Sequence, residues 1–135
     1  MEKERLTLTE AEWQVMECLW QRAPISGREV CENMEKARGW SRSTTLTLLR
    51  RMTAKSAVGE AEGEGKKAFI PLISRDEAAI NETENLLGRV YHGSMSLMLS
   101  AFTRKQRLSQ SEIDEMYALL SKLEARSGKG GEEDA

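Results

Sequence analysis

Acidic side chains are absent from one stretch of this chain and plentiful elsewhere. No Asp or Glu lies between Glu35 and Glu60, whereas Lys36, Arg38, Arg42, Arg50, Arg51 and Lys55 all fall there. The formal net charge is −2, which excludes a uniformly basic coat, so a polyanion partner has to be met by a local patch. Cysteine is scarce: Cys18 and Cys31 are the only two and lack CxxC spacing. That argues against a disulfide framework or a thiolate metal site and predicts reduced core thiols in a cytoplasmic protein. The single histidine, His92, has no Cys, His or paired acids beside it and reads as a turn or surface residue. With no nucleophile next to a base, no glycine-rich phosphate loop and no metal-ligand spacing, neither an enzyme nor a cofactor is expected. No apolar run reaches membrane-spanning length and no charged-then-apolar leader opens the chain, so membrane insertion is not expected either. The 135 residues suffice for one ordinary domain, or a small domain with an appended helical element.

What is present is a series of helix starts. A Ser or Thr followed three residues later by Glu can satisfy two unpaired amides reciprocally. Thr9 with Glu12, Ser26 with Glu29, Ser74 with Glu77 and Ser109 with Glu112 have this form. After the first, Trp13, Val15, Met16, Leu19 and Trp20 predict a core-facing helix ending before Pro24. After the second, Val30, Met34 and Ala37 predict a shorter helix stopping near Gly39. A third should start near Ser41 and turn Leu46, Leu49 and Met52 inward. The segment "AVGEAEGEGKKAFIPLI" predicts a β-hairpin with its turn over Glu62 to Lys66, and Pro71 predicts an edge role for the second strand. From Ser74 the pattern is helical again, with Ile80, Leu87 and Val90 on one stripe and a break at Gly93. A last helix from Ser111 to about Glu124 has its apolar positions at seam spacing. The tail "SGKGGEEDA" has nothing apolar to bury and is predicted to be disordered. The expected organisation is a domain over 1–73, a helical domain over 74–126 and a tail over 127–135.

Three helices and a hairpin, with arginines and hydroxyls on the third helix, is the layout of a winged helix-turn-helix. The fold class expected is mainly α with a small β-hairpin wing, followed by a C-terminal helical dimerisation arm. A recognition helix must offer donors to phosphates and base edges while its opposite face stays in a core. Ser43, Thr44 and Thr47 near the helix start can approach phosphate or a base edge. Arg50 and Arg51 can reach the flanking backbone, and Lys66 and Lys67 stand where a wing would meet phosphate. Arg42 and Lys55 complete the predicted contact set on double-stranded operator DNA. A run of basic residues is often only a solvated face; its coincidence with the third helix and with the hairpin lysines is what favours DNA. Trp13, Trp20 and Trp40 read as packing residues rather than base-stacking platforms.

One winged helix reads few base pairs, so a two-fold dimer is expected. Its candidate seam is Val90, Tyr91, Met95, Leu97, Met98, Leu99 and Phe102, with Ile113, Met116 and Leu120 from the last helix. A methionine-rich stripe of this kind fills a core or a partner interface. Two other functions stay open: a protein-interaction adaptor docking through the winged helix, and a regulator gated by a small molecule in a cavity between arm and wing.

In order, "LTEAEWQVMECLW", "WSRSTTLTLLRRM" and "YHGSMSLMLSAF" resemble the penicillinase-repressor family, the BlaI/MecI/CopY transcriptional regulators, over about residues 6 to 124. The resemblance implies a homodimeric repressor on dyad-symmetric operators before antibiotic-resistance genes such as β-lactamase genes. It further implies induction by a membrane-bound sensor metalloprotease that cuts the dimerisation region, here at Ala101–Phe102. Ala101 stands where the best-known members have Asn. Copper-responsive relatives end in paired cysteines, which this tail lacks, so no copper switch is expected.

Overall fold

The computed structural model describes residues 6–134 except 64, 65 and 106, and leaves out the side chains of 63, 66 and 128–134. The elements are α1 (Glu10–Gln21), β1 (Ile25–Ser26), α2 (Gly27–Arg38), α3 (Arg42–Ala54), β2 (Val58–Gly63), β3 (Lys66–Pro71), α4 (Arg75–Tyr91), α5 (Met95–Lys105) and α6 (Gln110–Asp134). They form two compact units that divide between Val90 and Tyr91.

All four predicted caps form, in two versions. At Thr9 and Ser109 the exchange is reciprocal: the Glu12 and Glu112 amides donate to the hydroxyls at 3.1 Å each, and the cap amides donate to the carboxylates at 2.8 and 2.9 Å. Ser26 and Ser74 accept from the amides of Glu29 and Glu77, while the Glu29 carboxylate faces Arg22 at 3.5 Å. α2 ends at Gly39 with φ of +72°, a left-handed conformation that glycine adopts without a Cβ penalty. Trp40 and the N-cap Ser41 then turn the chain into α3.

The core of the first unit joins Val15, Met16 and Leu19 of α1, Ile25 of β1, Val30 and Met34 of α2, Leu48, Leu49 and Met52 of α3, and Ala57, Val58 and Phe69 around the sheet. The inward face of α3 is Thr45, Leu48, Leu49 and Met52, an i, i+3, i+4, i+7 seam. Leu46, expected in that seam, lies half-buried at its edge, and Ala37 of α2 is exposed. Apolar residues at 46, 48 and 49 allow two helical phases, and packing against α1 and α2 chooses between them.

β3 is the central strand, in the order β1-β3-β2, which corrects the edge role expected from Pro71. The short β1 pairs only Ile25 with Phe69 and Ser26 with Ala68, so it stops before Pro71 and the missing amide interrupts no bond on that side. On the other side β2 pairs from Val58 opposite Pro71 to Gly63 opposite Lys66, and the Leu72 amide donates to the Ala57 carbonyl at 2.9 Å, closing the hairpin base. The turn expected over Glu62 to Lys66 contains residues 64 and 65, which lie outside the described residues.

The composition change at Ile73 marks a new element but not a new core. Trp20 Nε1–H donates to the Ile73 carbonyl at 2.9 Å and Ala78 is buried, so the unit extends to Val90 rather than ending at 73. In the second unit, His92 and Gly93 take positive φ and break the chain, and Ser94 caps α5 by accepting from the Leu97 amide at 3.0 Å. The backbone of α6 stays helical to Asp134, where composition predicted a disordered tail. Each residue added to a nucleated helix gains one backbone bond for two fixed dihedrals, so extension is easier than a new start.

Candidate nucleic-acid interface

α3 presents Arg42, Ser43, Thr44, Thr47, Arg50 and Arg51 to solvent. Positions 43, 47, 50 and 51 follow the three-and-four spacing that collects side chains on one helix face. Among the described residues none of the guanidinium groups of Arg42, Arg50 and Arg51 has an ion-pair partner. The charges on this face are therefore available to an external anion. At the helix start Ser41 accepts from the Thr44 amide at 3.2 Å and donates from Oγ to Thr44 Oγ1 at 3.0 Å, holding the Thr44 hydroxyl in place while it stays exposed.

The seat of this helix is built from below. The Cys31 thiol donates to the Arg42 carbonyl at 3.9 Å. Burial pushes that thiol up from its ordinary pKa, against the opposing effect of the Arg42 charge, which keeps it a protonated donor. Cys31 is buried and Cys18 half-buried, both as free thiols. Thr45 is fully buried, and among the described residues its Oγ1 has no hydrogen-bond partner. A buried hydroxyl without a partner costs about 1–3 kcal/mol, so Thr45→Val, which keeps the shape, is expected to stabilise the protein by about 1 kcal/mol, read from urea melts. A loss of stability would mean that the hydroxyl has a partner.

Lys55, part of the contact set predicted from sequence, is engaged inside the protein. Its Nζ lies 2.9 Å from Glu12 Oε1 and donates to the Thr7 carbonyl at 2.9 Å, so its ammonium ties the end of α3 to the start of α1. Burial pushes the Glu12 carboxyl up, but hydrogen bonds from Lys55 and the Thr9 backbone, with the Lys55 charge, bring it below its ordinary pKa. Lys67 stands 3.7 Å from Glu60 across the hairpin and pairs in register with Glu62, so nearby acid offsets its charge. The side chain of Lys66 lies outside the described residues. The acids were legible in "GEAEGEGKK" and are the signal that a reading centred on the lysines passed over.

Of the predicted dimer residues, Val90, Met95, Leu99, Phe102 and Leu120 are exposed, with Met95 at 59%. Tyr91, Met98, Ile113 and Met116 are half-buried. Ala101 is half-buried and Phe102 exposed, both inside α5. Among the described residues there is no group of His, Cys, Asp and Glu able to hold a metal ion, and no helix is long and apolar enough to cross a membrane.

The family model described as penicillinase repressor matches residues 8–122. The chain belongs to the penicillinase repressor family. Members of this family are regulators, not enzymes. The chain is 26% identical over 122 residues to the methicillin resistance regulatory protein MecI of Mammaliicoccus sciuri, covering 90% of this chain and 99% of that one. It is 28% identical over 119 residues to the penicillinase repressor of Bacillus licheniformis, covering 88% and 93%. Among solved structures, the DNA-binding domain of the repressor BlaI aligns with a TM-score of 0.50 and 26% identity, covering 56% of this chain and 93% of that one. The same values hold for monomeric Bacillus licheniformis BlaI in complex with the blaP half-operator. The fold of this penicillinase-repressor family member is therefore a winged helix followed by further helices.

Proposed function

We propose that the chain is a homodimeric transcriptional repressor that acts in the cytoplasm, binds a dyad-symmetric operator of antibiotic-resistance genes, and is inactivated by cleavage in its helical arm. The observation that carries this reading is the outward side of α3, where three arginines without ion-pair partners among the described residues stand beside exposed hydroxyls on a helix anchored by Leu48, Leu49 and Met52. Basic groups left free of internal acids are what a phosphate backbone requires. The methicillin resistance regulator and the penicillinase repressor named above, with BlaI seen on a half-operator, support the same target.

The apolar side chains exposed on α5 and α6 favour burial against a second copy, because a surface of this kind is unfavourable in water. Cleavage between Ala101 and Phe102 would detach α6 from the earlier part of the arm, shift the equilibrium toward monomer and so weaken operator binding. A membrane-bound sensor metalloprotease is the expected partner for that step.

The test is a mobility shift on the chain's own promoter across a salt series. If about six phosphates are neutralised per dimer, log K falls with log salt at a slope of roughly −5. Binding that ignores salt would instead favour a protein-docking role for the winged helix.

A further inference from the structure

The junction between α1 and the first turn of α4 carries more orientation-fixing contacts than a surface connection requires. Arg75 meets Glu17 with both ends of its fork, Nη2 to Oε2 at 2.8 Å and Nε to Oε1 at 3.2 Å. Its guanidinium carbon lies 5.7 Å from the ring centroid of Trp13 and 6.0 Å from that of Trp20. The two indoles meet edge to face at 5.1 Å and 71°. Trp13 Nε1–H donates to Glu17 Oε2 at 2.9 Å, and Trp20 Nε1–H to the Ile73 carbonyl at 2.9 Å, two residues before Arg75. The hydrogen bond from Arg75 lowers the Glu17 carboxyl below its ordinary pKa, so the pair stays ionised. Further along α4, Glu82 accepts from the Leu8 amide at 3.4 Å.

An exposed ion pair contributes little to stability. A bidentate, aromatic-stacked arginine does fix direction, because the fork and the ring planes admit few relative orientations. We infer that Arg75, seated on Glu17, Trp13 and Trp20, is the positioning residue that sets the separation of the two half-sites the repressor accepts. This inference rests on the dimeric reading above. α4 has 17 residues, so its axis is about 25 Å long. A tilt of about ten degrees at its root moves the far end by about 4 Å, more than the rise of about 3.4 Å between successive base pairs. A small loss of order at Arg75 therefore becomes an error of a whole base pair in where the second reading helix arrives.

The experiment measures binding of the full chain to duplexes with one half-site, and to dyads whose half-site separation is changed by one or two base pairs, the half-site being chosen by selection from random DNA. Wild type is expected to favour one separation by about tenfold or more over its neighbours, since duplex twisting or bending must absorb the mismatch. Arg75→Ala and Glu17→Gln should reduce that preference to about threefold or less while half-site affinity and melting temperature stay unchanged. Arg75→Lys keeps the charge but not the fork, and should not restore it. A sharp wild-type preference that survives Arg75→Ala, or is restored in full by Arg75→Lys, overturns this inference alone. A wild type with no preference at any separation overturns the dimeric reading and this inference with it.

Discussion

Arg50→Glu combined with Arg51→Glu is expected to weaken promoter binding by roughly four-thousandfold or more at 0.1 M salt, because each lost phosphate contact removes about 0.9 decades at that concentration. The double substitution removes four contacts from a dimer and places four like charges against the backbone. With about two of six contacts remaining, the salt slope should flatten from roughly −5 to about −2. Both side chains are exposed and free of ion pairs among the described residues, so circular dichroism and melting temperature should hardly change. A folded double variant that retains wild-type affinity would remove α3 from the interface.

Lys55→Met should act on stability instead. Glu12 is 1% exposed and Lys55 is its cationic partner at 2.9 Å. Removing the lysine leaves a buried carboxylate with no cation and only the Thr9 amide as a partner, which costs about 3 kcal/mol, at the low end of the usual range because the Lys55 side chain keeps about a third of its exposure and the Thr9 hydrogen bond remains. For a unit of this size the melting temperature should fall by about 12 °C or more. Adding Glu12→Gln should recover part of the loss by removing the stranded charge. The pH dependence has a definite sign. The Glu12 carboxyl is depressed in the folded state, so the pair's contribution is complete above the ordinary glutamate value of about 4.3 and is lost as pH falls through the depressed value. Urea melts at neutral and acid pH should therefore show the gap between wild type and Lys55→Met closing in acid. A gap that stays constant would mean that Lys55 acts by packing alone.

Helix starts were legible because capping is local: Thr9, Ser26, Ser74 and Ser109 each accept from the backbone amide only three residues away. The outward face of α3 was legible for a related reason, since an acid-free basic window can be counted along the chain. The job of Lys55 was not, because the partner that claims it, Glu12, is 43 residues away and carries a capping signature of its own. The central place of β3 was hidden by β1, whose two residues are too few to show any alternation. The Arg75 junction was hidden likewise, since its parts come from α1 and α4 and nothing in either segment names the other.

The hairpin is pinned at its root by Phe69 in the core, the Val58–Pro71 pairing and the Ala57–Leu72 hydrogen bond. That anchorage lies at the end of the sheet next to α3, so descendants of this sequence can change length at the far end of the hairpin without unseating the helix.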